Sequence, residues 1–522
     1  MIKTMLAASV LALVGLSARA GAAAPALAQV QLSATAPKPL SGRLLIFAEP
    51  WDAAKAANKG ADPTVVDANG FEPGEVAIAA AEIPRLAPGQ TDVINADLLA
   101  YPTAFSALKP GVYAVQAVLD VGHTYGYAGR EARDPVSPVV KVDLNAGGTI
   151  PVLTLTPTDE APKPVDAANA ARADVDPIDF VSPALSRFWG RPVHIRGWLV
   201  RPPGYGQGQA RYPSVYWTAG FGGTLARLAK VAADFDDQMT AGQTPPMIYV
   251  ILDQSSPTGT HEFADSVNNG PWGAALTGEL IPDLERRYRM DARPSGRFLT
   301  GHSSGGWASL WLQVAYPALF GGAWATSPDS SDFHDFNGPD IYAPGANVYR
   351  RPDGAPWPLV RDHAKVLATF EDFARQERVL GDYGGQQASF DWVFSPKGPD
   401  GRPVQMFDRD TGAVDPAVAA YWRDHYDIAW RITHDWPALK PNLDGKIHLI
   451  VGTADTFYLD GAAHRLKAAL DSVGARADVR FLADRTHFDL YAIGDDKRGL
   501  QKQMAWAMYA VARPDSPLQP KP

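Results

Sequence analysis

The stretch Gly296–Pro317, GRFLTGHSSGGWASLWLQVAYP, restricts the possible folds of this chain more than any other. Gly296 to Thr300 reads as a short strand. Trp307 to Tyr316 has helical spacing, with Trp307, Leu310, Trp311 and Val314 along one side. Between them lies Gly301-His302-Ser303-Ser304-Gly305. A glycine inside a helix costs about 1 kcal/mol against alanine, so their density here needs a reason. A strand that turns at once into a helix around G-x-S-x-G supplies one. The serine takes a strained backbone conformation that projects its hydroxyl, and its flanks must be glycine because neighbouring elements come too close for a Cβ. The register selects Ser303, since the same pattern on Ser304 would need glycine in place of His302. Ser304 then offers its backbone N–H, at a helix N-terminus, to an oxyanion. A Gly-Ser turn without chemistry is the plain alternative; the strand before and the helix after favour the nucleophile elbow.

A serine hydroxyl is a weak nucleophile. It needs a base, and the base needs an orienting carboxylate. With this elbow the expected chain order is serine, acid, histidine, the last two at the ends of later strands. Lys446 to Gly452 reads as a strand and is followed by Thr453-Ala454-Asp455, which makes Asp455 the candidate acid. A helical run, Gly461 to Val473, precedes a strand, Ala477 to Leu482, after which stands His487, the candidate base. Asp329 and Asp460 compete for the acid role. His302 sits beside the serine but is expected to point away from it, and His425 and His434 break the order. A second oxyanion donor is expected from the loop Thr218 to Gly223, after the strand Tyr212 to Trp217. Its glycines admit a substrate to the backbone, and Phe221 N–H is the choice. An ordinary glycine turn is the alternative there.

Together these pieces resemble the putative-esterase family of α/β-hydrolases, which includes S-formylglutathione hydrolases, enterochelin esterases, feruloyl esterases and mycolyltransferases. The matching stretches are RPPGYGQGQARYPSVYW (from Arg201), NNGPWGAALTGELIPDLERRY (from Asn268), GHSSGGWASLWLQVAYPALFGGAWATSPD (from Gly301), VGTADTFYLD (from Val451) and THFD (from Thr486). The resemblance covers roughly residues 187 to 512, apart from a long insertion. It implies an α/β-hydrolase fold and serine ester hydrolysis by Ser303, Asp455 and His487, with no cofactor and no metal. Many relatives carry His-Gly at the oxyanion loop where this chain has Ala219-Gly220. The donor is a backbone N–H, so activity is expected to survive that change. Acyl transfer to a sugar or alcohol, and a catalytically dead binding protein on the same fold, are the alternatives.

The rest of the 522-residue chain divides around that region. Residues 1–28 read as a signal peptide: Lys3, then the apolar run Met5 to Leu16, then small residues with possible cleavage after Ala20 or, preferred, after Ala28. That implies a periplasmic or secreted protein. No cysteine is present, so disulfides and thiolate metal sites are excluded. Residues 29–157 carry short apolar-polar alternations such as GRLLIFAEP and GVYAVQAVLDV and are expected to form an antiparallel β-sandwich with no catalytic constellation. It either binds carbohydrate or packs on the catalytic domain. Residues 158–186, rich in Pro, Ala and Asp, read as a linker, and 187–515 as the catalytic domain, where strands and helices alternate as in a mainly parallel sheet. Residues 330–443 are an insertion expected to cover the pocket as a lid. Its Trp357, Phe390, Trp392, Tyr421, Trp422 and Trp436 suit either a substrate wall for an aromatic acyl group or sugar, or the insertion's own core. The net charge of −9 argues against nucleic acid or an anionic membrane as partner and leaves a small-molecule or polysaccharide-linked ester. Nothing in the sequence sets the oligomeric state.

Overall fold

The computed structural model describes residues 26–70, 73, 76–145, 150–157, 172–381 and 383–518. Most of the expected signal peptide, residues 1–25, and the first part of the expected linker, residues 158–171, therefore lie outside the described residues.

Among the described residues the N-terminal region has eight strands: β1 (Leu27–Leu32), β2 (Leu40–Pro50), β3 (Ala77–Leu86), β4 (Thr91–Asn95), β5 (Ala100–Tyr101), β6 (Val112–Asp120), β7 (Val140–Asp143) and β8 (Leu153–Leu155). They form an antiparallel five-stranded sheet, order β5-β3-β2-β6-β7, and a three-stranded sheet, order β4-β1-β8. The smaller sheet is mixed rather than antiparallel, because β1 runs parallel to β8. Leu44, Ile46 and Ala48 of β2 face one core, shared with β1 and β8; Leu45 and Phe47 face another. A strand covered on both faces reads as a continuous apolar run, which is why LLIFA shows little alternation.

The second region, from residue 172 on, is built on one sheet of eight strands. They are β9 (Val175–Val181), β10 (His194–Val200), β11 (Ser214–Thr218), β12 (Ile248–Leu252), β13 (Arg297–His302), β14 (Gly322–Thr326), β15 (Ile447–Gly452) and β16 (Ala477–Leu482). Their order is β16-β15-β14-β13-β11-β12-β10-β9. Only β10 runs against the rest, pairing antiparallel with both neighbours. This is the mainly parallel sheet the sequence implies, with one correction. The linker was expected to reach residue 186, but Val175–Val181 pairs along its length with β10. Pro177 is tolerated there because β9 is an edge strand.

Helices α1 (Leu225–Thr240), α2 (Ile281–Arg287), α3 (Ser304–Ala315), α4 (Phe370–Leu380), α5 (Gln386–Phe394), α6 (Pro416–Tyr426), α7 (Ile428–Leu443), α8 (Leu459–Ser472) and α9 (Gly499–Ala512) complete this region. Phe298 and Trp324 point into the core under α1 and α9, while Leu299 and Ala323 point to the opposite face. Residues 304–314 of α3 are all buried, so this helix is covered on every side. The sheet covers one side of it, and α7 with the insertion covers the other. A parallel crossover from β14 to β15 requires a helix. Helix α7, capped by Asp427 accepting from Trp430 N–H at 2.8 Å, is that helix, so the insertion ends near residue 427 rather than 443.

The insertion docks on the N-terminal region. Arg43 of β2 donates to the carbonyls of Val379 (3.0 Å) and Arg378 (2.8 Å), the exposed C-terminal end of α4. Val379 itself lies in the N-terminal core. Gly126 faces the backbone of Gly381 and Gly385 so closely that a Cβ would come within 3.1 Å of Gly385 N.

Candidate active site

The strand-helix turn forms as the sequence implies. Ser303 has φ 59° and ψ −128°, in the left-handed half of backbone space that only a tightly determined turn imposes on a non-glycine residue. A Cβ on Gly301 would lie 2.2 Å from Gly305 O, and one on Gly305 would lie 2.2 Å from Thr218 O. The two glycines therefore answer a steric demand. Thr218 Oγ1 donates to Gly305 O at 3.0 Å and ties the loop after β11 to the turn.

Asp455 stands three residues beyond β15 and is wholly buried. Its Oδ2 pairs with His487 Nδ1 at 3.0 Å, and its Oδ1 accepts the N–H of Phe457 at 3.0 Å. Burial pushes this carboxyl up, but the adjacent His487 ring and these hydrogen bonds more than offset it. Its pKa lies below the ordinary carboxylate value. With Nδ1 held by the carboxylate, His487 keeps Nε2 for other work. Asp460, the other downstream candidate, is engaged by Arg361 at 2.9 Å instead.

Ser303 and His487 line the same cavity, of about 570 Å³. The serine hydroxyl, however, donates to Asp329 Oδ1 at 3.4 Å rather than to His487. Asp329 also accepts from Ser304 Oγ at 2.7 Å. Burial raises the Asp329 pKa to about 6, against those hydroxyl bonds and the nearby His487. His302 was expected to point away. Instead its ring centroid lies 4.3 Å from that of His487, it lines the cavity, and its Nδ1 meets Thr326 Oγ1 at 3.1 Å. Burial, then the charge of His487, lowers its pKa to about 3, so it stays neutral. His425 and His434 stack on Tyr421 and Trp430, away from the cavity.

Phe221 lines the cavity, and Ser304 begins α3 directly after the serine. Neither backbone N–H donates to another group among the described residues. Of the aromatic side chains the insertion seemed to offer, Phe390 lines a small cavity beside the serine. Phe390, Trp422 and Trp436 are buried in the core shared by the insertion and α3. Phe373, Phe457 and Phe488 line the wide cavity instead.

Sequence reading missed the contribution of the N-terminal region. Gly126 to Gly129, in and after the short helix Tyr125–Ala128, form one wall of the cavity. Tyr127 donates its hydroxyl to Gly223 O at 3.0 Å and packs edge-on against Phe221, ring centroids 4.8 Å apart. The density of Gly and Tyr in GHTYGYAGR, unusual for a plain loop, was the available signal. A second, small cavity of about 20 Å³ also reaches Ser303; it shares Phe373, Gln386 and Phe457 with the wide one and is further lined by Asp329, Asn337, Leu359, Phe390 and Leu459 among others.

Asp332, His334 and Asp427 bring potential metal-ligand atoms within 4.8 Å of one another. Asp332 accepts from His334, and Asp427 accepts from Phe333 N–H, Trp430 N–H and the Tyr342 hydroxyl, so these groups already serve as caps and cross-links.

Among solved structures the chain is similar to a ferulic acid esterase (14% identity, 65% of this chain and 97% of that one, TM-score 0.38). It is similar to an S-formylglutathione hydrolase from Agrobacterium tumefaciens (13%, 66% and 97%, TM-score 0.36). A ferulic acid esterase from the anaerobic fungus Anaeromyces mucronatus is a further likeness (12%, 66% and 95%, TM-score 0.32). No curated protein matches the chain. The model of one family, described as "Putative esterase", matches residues 190–506, more than half of the chain. This protein, with its eight-stranded α/β sheet and glycine-flanked serine turn, belongs to that esterase family.

Proposed function

We propose that this esterase hydrolyses carboxylic esters through an acyl-enzyme on Ser303. One observation carries the reading: a strained, glycine-flanked serine and a buried His487–Asp455 pair open onto one cavity. In the proposed cycle Ser303 rotates about its Cα–Cβ bond, away from Asp329 and toward His487. Catalytic hydrogen bonds of this kind often tighten only in the complex with substrate. The hydroxyl oxygen then attacks the ester carbonyl while His487 Nε2 takes its proton. Asp455 holds the imidazole tautomer and stabilises the imidazolium. The N–H groups of Phe221 and Ser304 stabilise the oxyanion. His487 returns the proton to the departing alcohol, and water releases the acid by the same steps. Every component is a side chain or backbone group of this chain.

The test is hydrolysis of a panel of p-nitrophenyl esters by wild type and Ser303→Ala. A fall of about 10⁴-fold or more is expected in the variant, together with loss of fluorophosphonate labelling. Equal activity in the two proteins would end the assignment of Ser303.

Export is part of the proposal. Leu27 and Ala28 are paired in β1 with Asn95 and Ile94, so cleavage after Ala28 would cut the strand. Cleavage after Ala20 leaves it whole. N-terminal sequencing of the mature protein decides between the two. Among the described residues, no helix is long and apolar enough to cross a membrane.

A further inference from the structure

Ser303 lines two cavities of very different size, and only one of them contains His487. The wide one, of about 570 Å³, holds His487, Phe221 and the N-terminal wall. The small one, of about 20 Å³, adjoins it across Phe373, Gln386 and Phe457 and holds neither His487 nor the oxyanion loop. Three substituents of the ester carbon must be placed around the serine oxygen. The oxyanion goes to the Phe221 and Ser304 N–H groups. The departing alcohol must lie where His487 can protonate it. Both directions belong to the wide cavity. The acyl substituent is left with the remaining space beside Ser303, the small cavity.

Resting on the serine-esterase reading above, we infer that the substrate is an acetyl ester, or one of equally short acyl chain, of a bulky ring-bearing alcohol. Roughly 10–15 Å³ of such space accommodates one water, so the small cavity takes about one carbon beyond the carbonyl. Its inner wall is stiff: Leu359, Phe390 and Leu459 are buried residues and cannot swing aside without opening other contacts, while the half-buried Phe373, Gln386 and Phe457 stand between it and the wide cavity. The wide cavity falls in the range of small-molecule sites, about 300–1,000 Å³. Tyr127, Phe221, Phe373, Phe457 and Phe488 give it aromatic surfaces on which an aromatic or sugar ring can rest. The step balances without a co-reactant. The Ser303 Oγ–C bond forms, the C–O bond to the alcohol breaks, and the alcohol leaves with the proton first taken from Ser303. Water then releases acetate and restores the serine.

The experiment fixes one half of the ester at a time on the full-length protein. With p-nitrophenol as leaving group, kcat/KM is expected to fall by about tenfold or more from acetate to butyrate, and further for benzoate. With acetyl fixed, 2-naphthyl acetate is expected to react at least as well as phenyl acetate. Leu359→Ala enlarges the small cavity and is expected to raise the butyrate-to-acetate ratio about tenfold. Phe390→Leu serves the same purpose should the first variant not fold. Butyrate or benzoate turned over by wild type as fast as acetate would place the acyl group in the wide cavity and overturn the inference. No turnover of any ester overturns it too. Fluorophosphonate labelling then separates the two readings: Ser303 labelled keeps the serine reading, and Ser303 unlabelled loses both.

Discussion

The turn at Ser303 and the wall at Gly126 to Gly129 face the same cavity, yet they are built in opposite ways. The turn is local. Its strand, its glycines and its helix are contiguous, and each glycine meets a backbone oxygen only a few residues away or on the adjacent strand. The wall is assembled from distance. Tyr127 reaches Gly223, 96 residues later, and Gly126 abuts Gly381 and Gly385 of the insertion. Chemistry needs atoms held to a fraction of an ångström, and short-range covalent geometry supplies that. Substrate shape is set by whichever surfaces are brought alongside, and segments of separate regions can supply it.

Substitutions can break this comparison on its local side first. Asp455→Asn keeps shape but offers His487 a different partner. It is expected to lower kcat by about 10³- to 10⁴-fold while circular dichroism and the melting temperature stay close to wild type. An activity loss under tenfold would mean that another carboxyl, Asp329 being the one at hand, orients the base. On the assembled side, Tyr127→Ala removes both the bond to Gly223 O and the ring against Phe221. The oxyanion loop loses its brace, and kcat is expected to fall about 10- to 100-fold with a smaller change in KM. Tyr127→Phe keeps the ring and loses one hydrogen bond, so a drop of about 2- to 10-fold is expected. If both variants melt early but turn over substrate at the wild-type kcat, the N-terminal region is a scaffold and no part of the site.

The same contrast explains what could be read from the sequence. The turn, Asp455 and His487 were legible as candidates because each lies within a few residues of the end of a strand whose apolar run is plain, in the order serine, acid, histidine. The crossover helix α7 was absorbed into the insertion because Pro437 and Pro441 broke the expected helical signal. Strand β9 was hidden by the Pro-rich segment before it and by its own Pro177, which only an edge position permits. The role of Tyr127 had no local expression beyond a Gly-Tyr cluster, since its partners lie far along the chain. The orientation of Ser303 toward Asp329 was also out of reach. It depends on two hydroxyls converging on one carboxyl across the β14 end, a matter of side-chain packing.

Asp329 gives the finest test, because it belongs to both sides of the comparison: a buried acid at a strand end that also lines the small cavity. Burial raises its pKa from 3.8 to about 6, only partly countered by the two serine hydroxyls and by His487, while Asp455 adds to the rise. Between those pH values the folded protein holds a proton that the unfolded chain has released. The stability of the fold therefore declines as pH rises through that window, by about 3 kcal/mol at most, and stays lowered above it. Asn at this position cannot ionise. The stability of Asp329→Asn relative to wild type should thus increase from pH 4 to pH 7, measured by urea unfolding of both proteins at each pH. Taking the difference between the two proteins largely cancels the other groups that titrate here. Glu262, wholly buried and raised well above its ordinary value by burial and by Asp329, is the neighbour whose own titration the substitution also alters. A difference that stays flat with pH would mean that Asp329 is ionised throughout. The serine hydroxyl would then rest against a full negative charge, and leaving that partner for His487 would become a larger share of the barrier to the first step.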